Sequence, residues 1–384
     1  MKAVELFAGI GGFRIAADSV KFDTIWANDH CPKACKVYRH NFGPNSIREG
    51  DVTKLLDEVP PHDLLTAGFP CQPFSSAGKK QGIKDPRGTL FSVVVDVLRR
   101  HQPPCFILEN VKRLLTMEQG VHFATILASL AELNYRIEWR LLNAIDFGLP
   151  QNRQRVFVVG VRLGSNRGNG TNAIRLASTE DLSTRTFRAG LLHSPEFWPK
   201  ITSHGKKFPN WGLAVAGHFC AAELDSFSES APPCKLQSVL QDDVAPEFDF
   251  TESTVQRLKS SRPVKRFVHG VEILSNQGGG ARMGYTVFGI NGLAPTLTST
   301  ASRHYERYKI GSRYRRLTNV EYARLQGFPD DHCSAVSVYD QYALYGNAVP
   351  APMVAWVMKR ATSEGVPIQR IPRKRHQQRL FADA

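Results

Sequence analysis

Val4-Glu5-Leu6-Phe7-Ala8-Gly9-Ile10-Gly11-Gly12 begins as a short apolar run and ends with three glycines in four residues. It reads as a strand, Ala3–Phe7, that passes through a glycine-rich turn into a helix. Backbone N–H groups and the positive end of the helix then face a ligand. Twenty residues after Gly9 comes Asp29, at the end of a second candidate strand, Thr24–Asn28, where a carboxylate can meet ribose hydroxyls. A dinucleotide fingerprint needs a further glycine at position 14, which is Arg14. A pyrophosphate site is thereby weakened and a nucleoside site survives. For the glycines alone, a tight structural turn is an equally good reading.

Outward from this turn, short apolar runs alternate with helical periodicity up to residue 164. Further candidate strands are Asp63–Ala67, Cys105–Leu108, Tyr135–Asn143 and Val156–Arg162, and candidate helices are Cys31–Phe42, Gly88–His101 and Gln119–Leu133. In Gly88–His101, Leu90, Val93, Val94, Val97 and Leu98 share one face. The alternation predicts an α/β fold with a doubly wound sheet. From Gly164 the texture changes to Gly, Ser, Pro and Phe without sustained periodicity, and 165–290 is expected to form a smaller, irregular second domain. Helical pattern returns in Thr318–Gln326 and Pro352–Arg360, so 291–360 is expected to pack back on the first domain, 1–164. Residues 361–384, with Arg370, Arg373, Lys374, Arg375 and Arg379, read as a basic flexible tail.

The 384 residues are 42% hydrophobic and 22% charged, an ordinary balance for a globular chain with room for two domains. No apolar run approaches the roughly 18 residues of a membrane helix. The N-terminal residues lack the pattern of a secretory signal, and seven scattered cysteines suit a reducing compartment, so a cytoplasmic enzyme is expected. The net charge of +14 favours a polyanionic partner, nucleic acid above all.

Three further stretches carry chemistry. Gly68-Phe69-Pro70-Cys71-Gln72-Pro73-Phe74-Ser75 follows a strand, which sets Cys71 at the carboxyl edge of the sheet, where ligands bind in this fold class. A lone cysteine is more often inert packing, but the flanking prolines and the basic, glycine-containing Ser75–Gly88 stretch argue against core burial. Glu109, in Phe106-Ile107-Leu108-Glu109-Asn110-Val111, ends another apolar strand at the same edge. Arg153 and Arg155 enter the last strong strand with side chains on one side. Each charge singly fits a plain strand end; together they predict a nucleophile, a proton donor and two cations converging. No zinc site is expected, because Cys31 and Cys35 lack a second ligand pair at suitable spacing.

These motifs, in this order, resemble the DNA (cytosine-5)-methyltransferases of bacterial restriction–modification systems. The resemblance continues through Gly50-Asp51-Val52, Gln151–Arg155, Arg316–Glu321, Leu325–Pro329 and Tyr345–Pro350. It implies that Cys71 is the nucleophile that attacks cytosine C6, Glu109 the contact to N3 and the exocyclic amine, Arg155 the contact to O2, and Arg153 a support for the site. It also implies S-adenosylmethionine over Phe7, Ala8, Gly9, Ile10, Gly11 and Gly12, with Asp29 and His30 at the ribose and Asp51 and Val52 at the adenine. Gly68, Pro70 and Leu90 would line the methionine side, and Asn347 and Ala348 would close the pocket. Asp29 and His30 stand where Glu and Trp are usual in the family, which bears on cofactor affinity rather than on the reaction. Double-stranded DNA is the implied partner, with base flipping, a closing loop bearing Gln72, Ser75, Lys79, Lys80, Lys84 and Arg87, and 165–290 as the target-recognition domain. Arg257, Lys259, Arg262, Lys265 and Arg266 form a basic cluster that suits phosphates, or a solvated face. A monomer and a partner endonuclease acting on the same site belong to the same expectation. Three alternatives stay open: a tRNA cytosine-5 methyltransferase, a DNA-binding protein without turnover, and, weakened by Arg14, a nicotinamide dehydrogenase.

Overall fold

The computed structural model describes residues 1–70, 90–164, 173–183, 192, 195–278, 285–299, 306–363 and 365–367. The first part of the chain forms β1 (Lys2–Leu6), α1 (Gly12–Ser19), β2 (Asp23–Asp29), α2 (Pro32–Phe42), β3 (Arg48–Glu49), β4 (Leu64–Ala67), α3 (Leu90–His101), β5 (Cys105–Val111), α4 (Val121–Ala131), β6 (Tyr135–Asn143) and β7 (Gln154–Arg162). Then come β8 (Ala173–Ile174), β9 (Trp211–Val215), β10 (His218–Ala222), α5 (Glu252–Lys259), β11 (Arg262–Val268), β12 (Val271–Asn276), β13 (Thr286–Phe288), β14 (Arg307–Ile310) and β15 (Arg313–Arg315). The chain continues with α6 (Asn319–Gln326), α7 (Val338–Asn347), α8 (Ala351–Thr362) and β16 (Val366–Pro367), which pairs with β8.

Nine strands form one sheet in the order β10-β9-β6-β7-β5-β4-β1-β2-β3. Its β1–β5 half is parallel, whereas β7 runs antiparallel to β5 and to β6. Alternation along the strands decides which helices cover which face. Val4, Leu6, Leu65 and Phe106 pack with Val94 and Leu98 of α3 and Phe123 and Leu127 of α4. Ala3, Leu64 and Ile107 pack with Phe13 and Ala17 of α1 and Val354, Val357 and Met358 of α8 on the other side. Burial on both faces is why these strands read as continuous apolar runs, and it makes the sheet doubly wound, as expected. The first strand ends one residue before its expected limit because Phe7 adopts φ 55°, where the chain leaves the sheet for the turn.

The break in texture at residue 164 does not mark the edge of this sheet. β9 pairs with β6, and Trp139 of β6 lies so close that a Cβ on Gly212 would stand 2.3 Å from its ring. A second, five-stranded sheet, β11-β12-β13-β14-β15, spans residues 262–315 and so crosses position 290. Residues 165–290 are therefore divided between the two sheets. Val271, Phe288 and Tyr308 of the second sheet share a core with Leu317, Tyr322, Leu325 and Tyr345, from α6, α7 and the segment leading into α6. Helix α6 starts with a capping box, Thr318 accepting from the Glu321 amide while Glu321 accepts from the Thr318 amide. The same Glu321 takes two hydrogen bonds of 2.7 Å from Arg315, which fixes β15 to that helix. Among the described residues, no helix is long and apolar enough to cross a membrane.

Candidate active site

A cavity of about 420 Å³ opens at the carboxyl ends of β1, β2, β4 and β5. Of the residues expected at a site, Phe7, Ala8, Gly9, Ile10, Gly12, Asp29, His30, Gly68, Pro70, Glu109, Arg155, Asn347 and Ala348 line it. Cys71 and the loop residues Gln72, Ser75, Lys79, Lys80, Lys84 and Arg87 lie outside the described residues.

The glycines of the turn divide by role. Gly9 has φ 55° and a Cβ there would meet no atom within 4 Å, so its backbone is open to the cavity. Gly11 is a packing glycine: φ is 88°, and a Cβ would stand 2.4 Å from the Phe42 ring of α2. A Cβ on Gly12 would stand 2.7 Å from the Val349 carbonyl oxygen, so the C-terminal segment also presses on the turn. Buried Asp29 has a task that spacing alone did not reveal. Its Oδ2 accepts from the Gly9 amide and its Oδ1 from the Cys31 amide, both at 2.8 Å. Each carboxylate oxygen keeps a lone pair, so Asp29 can pin the turn and still accept from a ligand hydroxyl. His332 adds a bond from its Nε2 to the Ile10 carbonyl at 2.7 Å.

Glu109 of β5 and Arg155 of β7 are diagonal neighbours on adjacent strands, since Glu109 faces Phe157 and Val111 faces Arg155. Arg155 Nε lies 2.9 Å from Glu109 Oε1, with only 11% and 13% of the two side chains exposed. Burial raises the Glu109 carboxyl above its ordinary value, and Arg155 and then Arg153 oppose the rise. A carboxyl held up by desolvation beside a fixed cation can exchange a proton or a hydrogen bond with a ring nitrogen. A Cβ on Gly68 would be 3.4 Å from Glu109 Oε2, so the glycine keeps the approach to that oxygen clear.

Arg153 acts on this pair through its charge, while its hydrogen bonds go elsewhere. It precedes β7, and its guanidinium donates to the carbonyls of Leu297 at 2.9 Å, Gly346 at 3.0 Å and Ala348 at 2.7 Å. A buried guanidinium needs acceptors, and these three carbonyls supply them where the strand-face reading had only solvent and substrate to offer. Gln151 joins the same knot. Its Nε2 donates to Leu325 O, and its Oε1 accepts from the Leu297 amide, both at 3.0 Å. Gln326 Nε2 donates in turn to the Tyr345 and Ala348 carbonyls. The knot thus ties the start of β7 to the segment that follows β13 and to the α7 end that lines the cavity.

Four other expected contacts also fall outside the cavity lining. Gly11 faces α2. Asp51 is exposed and caps the turn behind it, accepting from Thr53 N at 3.0 Å and Thr53 Oγ1 at 2.8 Å. Val52 is buried in the core, and Leu90 packs against that core at the start of α3. One positioning residue was missed. Buried Asn110 donates to the Phe69 carbonyl at 2.9 Å and accepts from the Val111 amide at 2.9 Å, which holds the chain two residues before Cys71. Its signal was visible as an amide side chain directly after an apolar strand, beside Glu109.

A family model described as C-5 cytosine-specific DNA methylase matches residues 1–363. The type II methyltransferase M1.ScrFI of Lactococcus lactis subsp. cremoris is 33% identical over 92% of this chain and 76% of its own length. M.BanI of Aneurinibacillus aneurinilyticus is 31% identical over 94% of this chain and 95% of its own. Among solved structures, S. pombe Dnmt2 methyltransferase superposes with TM-score 0.60 at 17% identity, covering 93% of this chain and 97% of that one. Entamoeba histolytica EhMeth does so with TM-score 0.57 at 16% identity, covering 94% and 97%. At that identity the structures speak for the fold alone, while the family model and the sequence matches speak for the activity. The chain therefore belongs to the C-5 cytosine-specific DNA methylase family and is a DNA (cytosine-5)-methyltransferase.

Proposed function

We propose that the chain methylates C5 of a flipped-out cytosine within one short duplex sequence, through a covalent bond between Cys71 and C6, and protects that sequence from a partner endonuclease. The observation that carries this reading is the Arg155–Glu109 pair at 2.9 Å on the wall of the cavity that the glycine-rich turn and Asp29 floor. The cavity fits S-adenosylmethionine in size and chemistry, with an open backbone at Gly9, a carboxylate at Asp29 and apolar walls at Phe7, Phe13 and Val349. When bound there, S-adenosylmethionine supplies an electrophilic methyl group on a sulfonium. The protein's part is to make the unreactive C5 nucleophilic. The Cys71 thiolate adds to C6, and the displaced electron pair makes C5 enamine-like. Glu109 stabilises the ring at N3 while Arg155 holds O2. Once C5 carries the methyl group, a base or water takes the C5 proton, and the electron pair so released expels the Cys71 thiolate and restores the aromatic ring. A free thiol is only a few per cent ionised at neutral pH, so the positive surroundings of the site favour the attacking form.

The second sheet is the proposed target-recognition element. Arg257, Lys259, Arg262, Lys265 and Arg266 are all exposed along α5 and β11, the arrangement that phosphate contacts need. The nine-stranded sheet with α1–α4 and α6–α8 then forms the catalytic part; α8 and β16, which pairs with β8, extend it into the stretch read from the sequence as a tail from residue 361. Base-resolution mapping of 5-methylcytosine in a methylation-free host expressing the chain tests the reading. Marks confined to one short motif are expected, with none from Cys71→Ser. Near-normal turnover by that variant would overturn the covalent route, and transfer to tRNA but not DNA would overturn the substrate.

A further inference from the structure

A second cavity, of about 360 Å³, lies beside β10, the terminal strand of the nine-stranded sheet. It shares no lining residue with the first cavity. Four strand spacings, roughly 19 Å, separate β10 from β5, the strand that carries Glu109.

Its walls are aromatic. Phe197, Trp198, His204 and Phe219 all line it. The His204 ring centroid lies 4.1 Å from that of Phe208 and 4.9 Å from that of Phe219. Phe208 in turn meets Phe123 and Trp139 edge-on at 5.1 and 5.7 Å, so one wall is anchored in the main core. Phe197 is different, an aromatic ring 84% exposed at the rim. Lys206 and Lys207 are exposed at the mouth, and among the described residues no carboxylate lines the cavity. Trp198 is 7% exposed, and among the described residues its indole N–H has no hydrogen-bond partner. His204 Nε2 is buried without one too, but burial lowers the imidazole's pKa and the Lys206 and Lys207 backbone bonds the ring, so Nε2 offers a lone pair. A buried polar atom left unpaired is costly, so the indole N–H points to an acceptor, and the imidazole to a donor, brought by a ligand.

We infer that this cavity binds a nucleotide, with the base stacked among Phe197, Trp198 and His204 and the phosphate held by Lys206 and Lys207. Flat aromatic faces suit any base, and paired ammonium groups suit a phosphate. The base edge supplies acceptors for the indole N–H, which a bare phosphate cannot do while also filling an aromatic slot. Two sources share this chemistry: a free mononucleotide, and an unpaired nucleotide at the end or flank of a DNA substrate.

Adenosine 5′-monophosphate titrated into the full chain tests the site, read by saturation-transfer NMR and by tryptophan fluorescence. S-adenosylhomocysteine held in excess keeps the first cavity out of the measurement. Binding is expected to persist under that competition. It should weaken about tenfold in the K206E/K207E double variant, the scale of lost charge-assisted hydrogen bonds. Adenosine without phosphate should bind less well than the monophosphate. Trp198→Phe, which keeps the ring and removes the N–H, should abolish the fluorescence response and weaken binding. Phe197→Ala, at an exposed position, guards against misfolding as the cause of any loss. A duplex with a single-stranded overhang distinguishes the sources. If it binds better than the blunt duplex, and the lysine variant removes the difference, the nucleotide comes from DNA; if only the monophosphate responds, it is a free nucleotide. Absence of monophosphate binding, or binding equal in all variants, overturns the proposal. The outcome is independent of methyl transfer from the first cavity, which these variants should leave unchanged on a blunt duplex.

Discussion

The two sheets are built on different terms. In the nine-stranded sheet β1, β4 and β5 are buried on both faces, with Val4, Leu6, Leu64, Leu65, Phe106, Ile107 and Leu108 at 0% exposure. In the five-stranded sheet β11 is exposed along most of its length, and its Phe267 remains 59% exposed. The first sheet is self-sufficient: two layers of helices bury it, and its edge positions a cavity. The second holds its place through one shared core with α6 and α7, the Arg315–Glu321 pair and the knot around Arg153. A surface meant to meet another molecule cannot also be buried in its own. The contrast teaches that burial is divided unequally between the sheets; on the proposed reading recognition falls to the second, and each can be broken separately.

The largest effect belongs to the first sheet. Phe106 lies at 0% exposure, edge-on to Tyr135 at 4.9 Å, and it occupies the space that a Cβ on Gly160 would fill at 2.0 Å. Phe106→Ala should destabilise by about 3–5 kcal/mol in urea titration, the range for a buried aromatic truncated to a cavity. Gly160→Ala attacks the same contact from the other side and should cost about 1–3 kcal/mol by overpacking. A smaller loss from both would mean the strand pair has room to relax.

The join between the sheets comes next. Arg153→Met removes the donors to Leu297, Gly346 and Ala348 while keeping much of the side-chain volume. Three buried carbonyls then lose a charged partner, and a loss of about 3 kcal/mol is expected. Calorimetry should also show the single transition broadening or splitting as the second sheet comes loose. A uniform downward shift of one sharp transition would assign Arg153 to the first region alone.

How far each region could be read follows from the same contrast. Continuous burial prints a pattern, and all six expected strands and all three expected helices of residues 1–164 are present with ends displaced by a few residues. Expected site residues that belong to the turn or to a strand end, such as Gly9, Asp29, Glu109 and Arg155, line one cavity. Others lie away from the cavity lining for identifiable reasons. Position along a strand cannot say that Arg153 turns toward carbonyls contributed by residues 297 to 348, because those partners are remote in sequence. Asp51 satisfies its own backbone locally, and Val52 answers to the core. In the second sheet the strands were invisible, since β11 alternates little and its exposed face carries no apolar period.

A pH effect sharpens the first region further. Glu5 of β1 is 1% exposed, bonded by Tyr38 Oη at 2.8 Å, and burial pushes its carboxyl up to about 8. The folded protein therefore holds a proton that the unfolded chain, with a value of 4.5, releases. Stability from this group is complete below about pH 4.5 and declines as the pH climbs toward about 8. Glu5→Gln copies the neutral form and should flatten that decline, gaining about 1–3 kcal/mol near pH 7.5 over the parent. Parallel stability–pH curves for the two proteins would show that Glu5 is ionised in the fold.

The smallest change in stability should come from the surface of the second sheet, and there the consequence is expected in binding instead. Phe267→Ala removes a ring that touches little of the protein's own core, so a shift within about 0.5 kcal/mol is expected. Arg266→Ala, one residue before it, should leave the urea midpoint in place and weaken duplex binding. If Arg266 meets a phosphate, the slope of log affinity against log salt should become shallower by about 1. The pair of measurements separates the two terms on which the sheets are built. Unchanged stability with a reduced salt slope assigns β11 to the DNA-facing surface. A stability loss on the scale of Phe106→Ala, with duplex binding intact, would make β11 part of the protein's own packing and leave recognition to other elements.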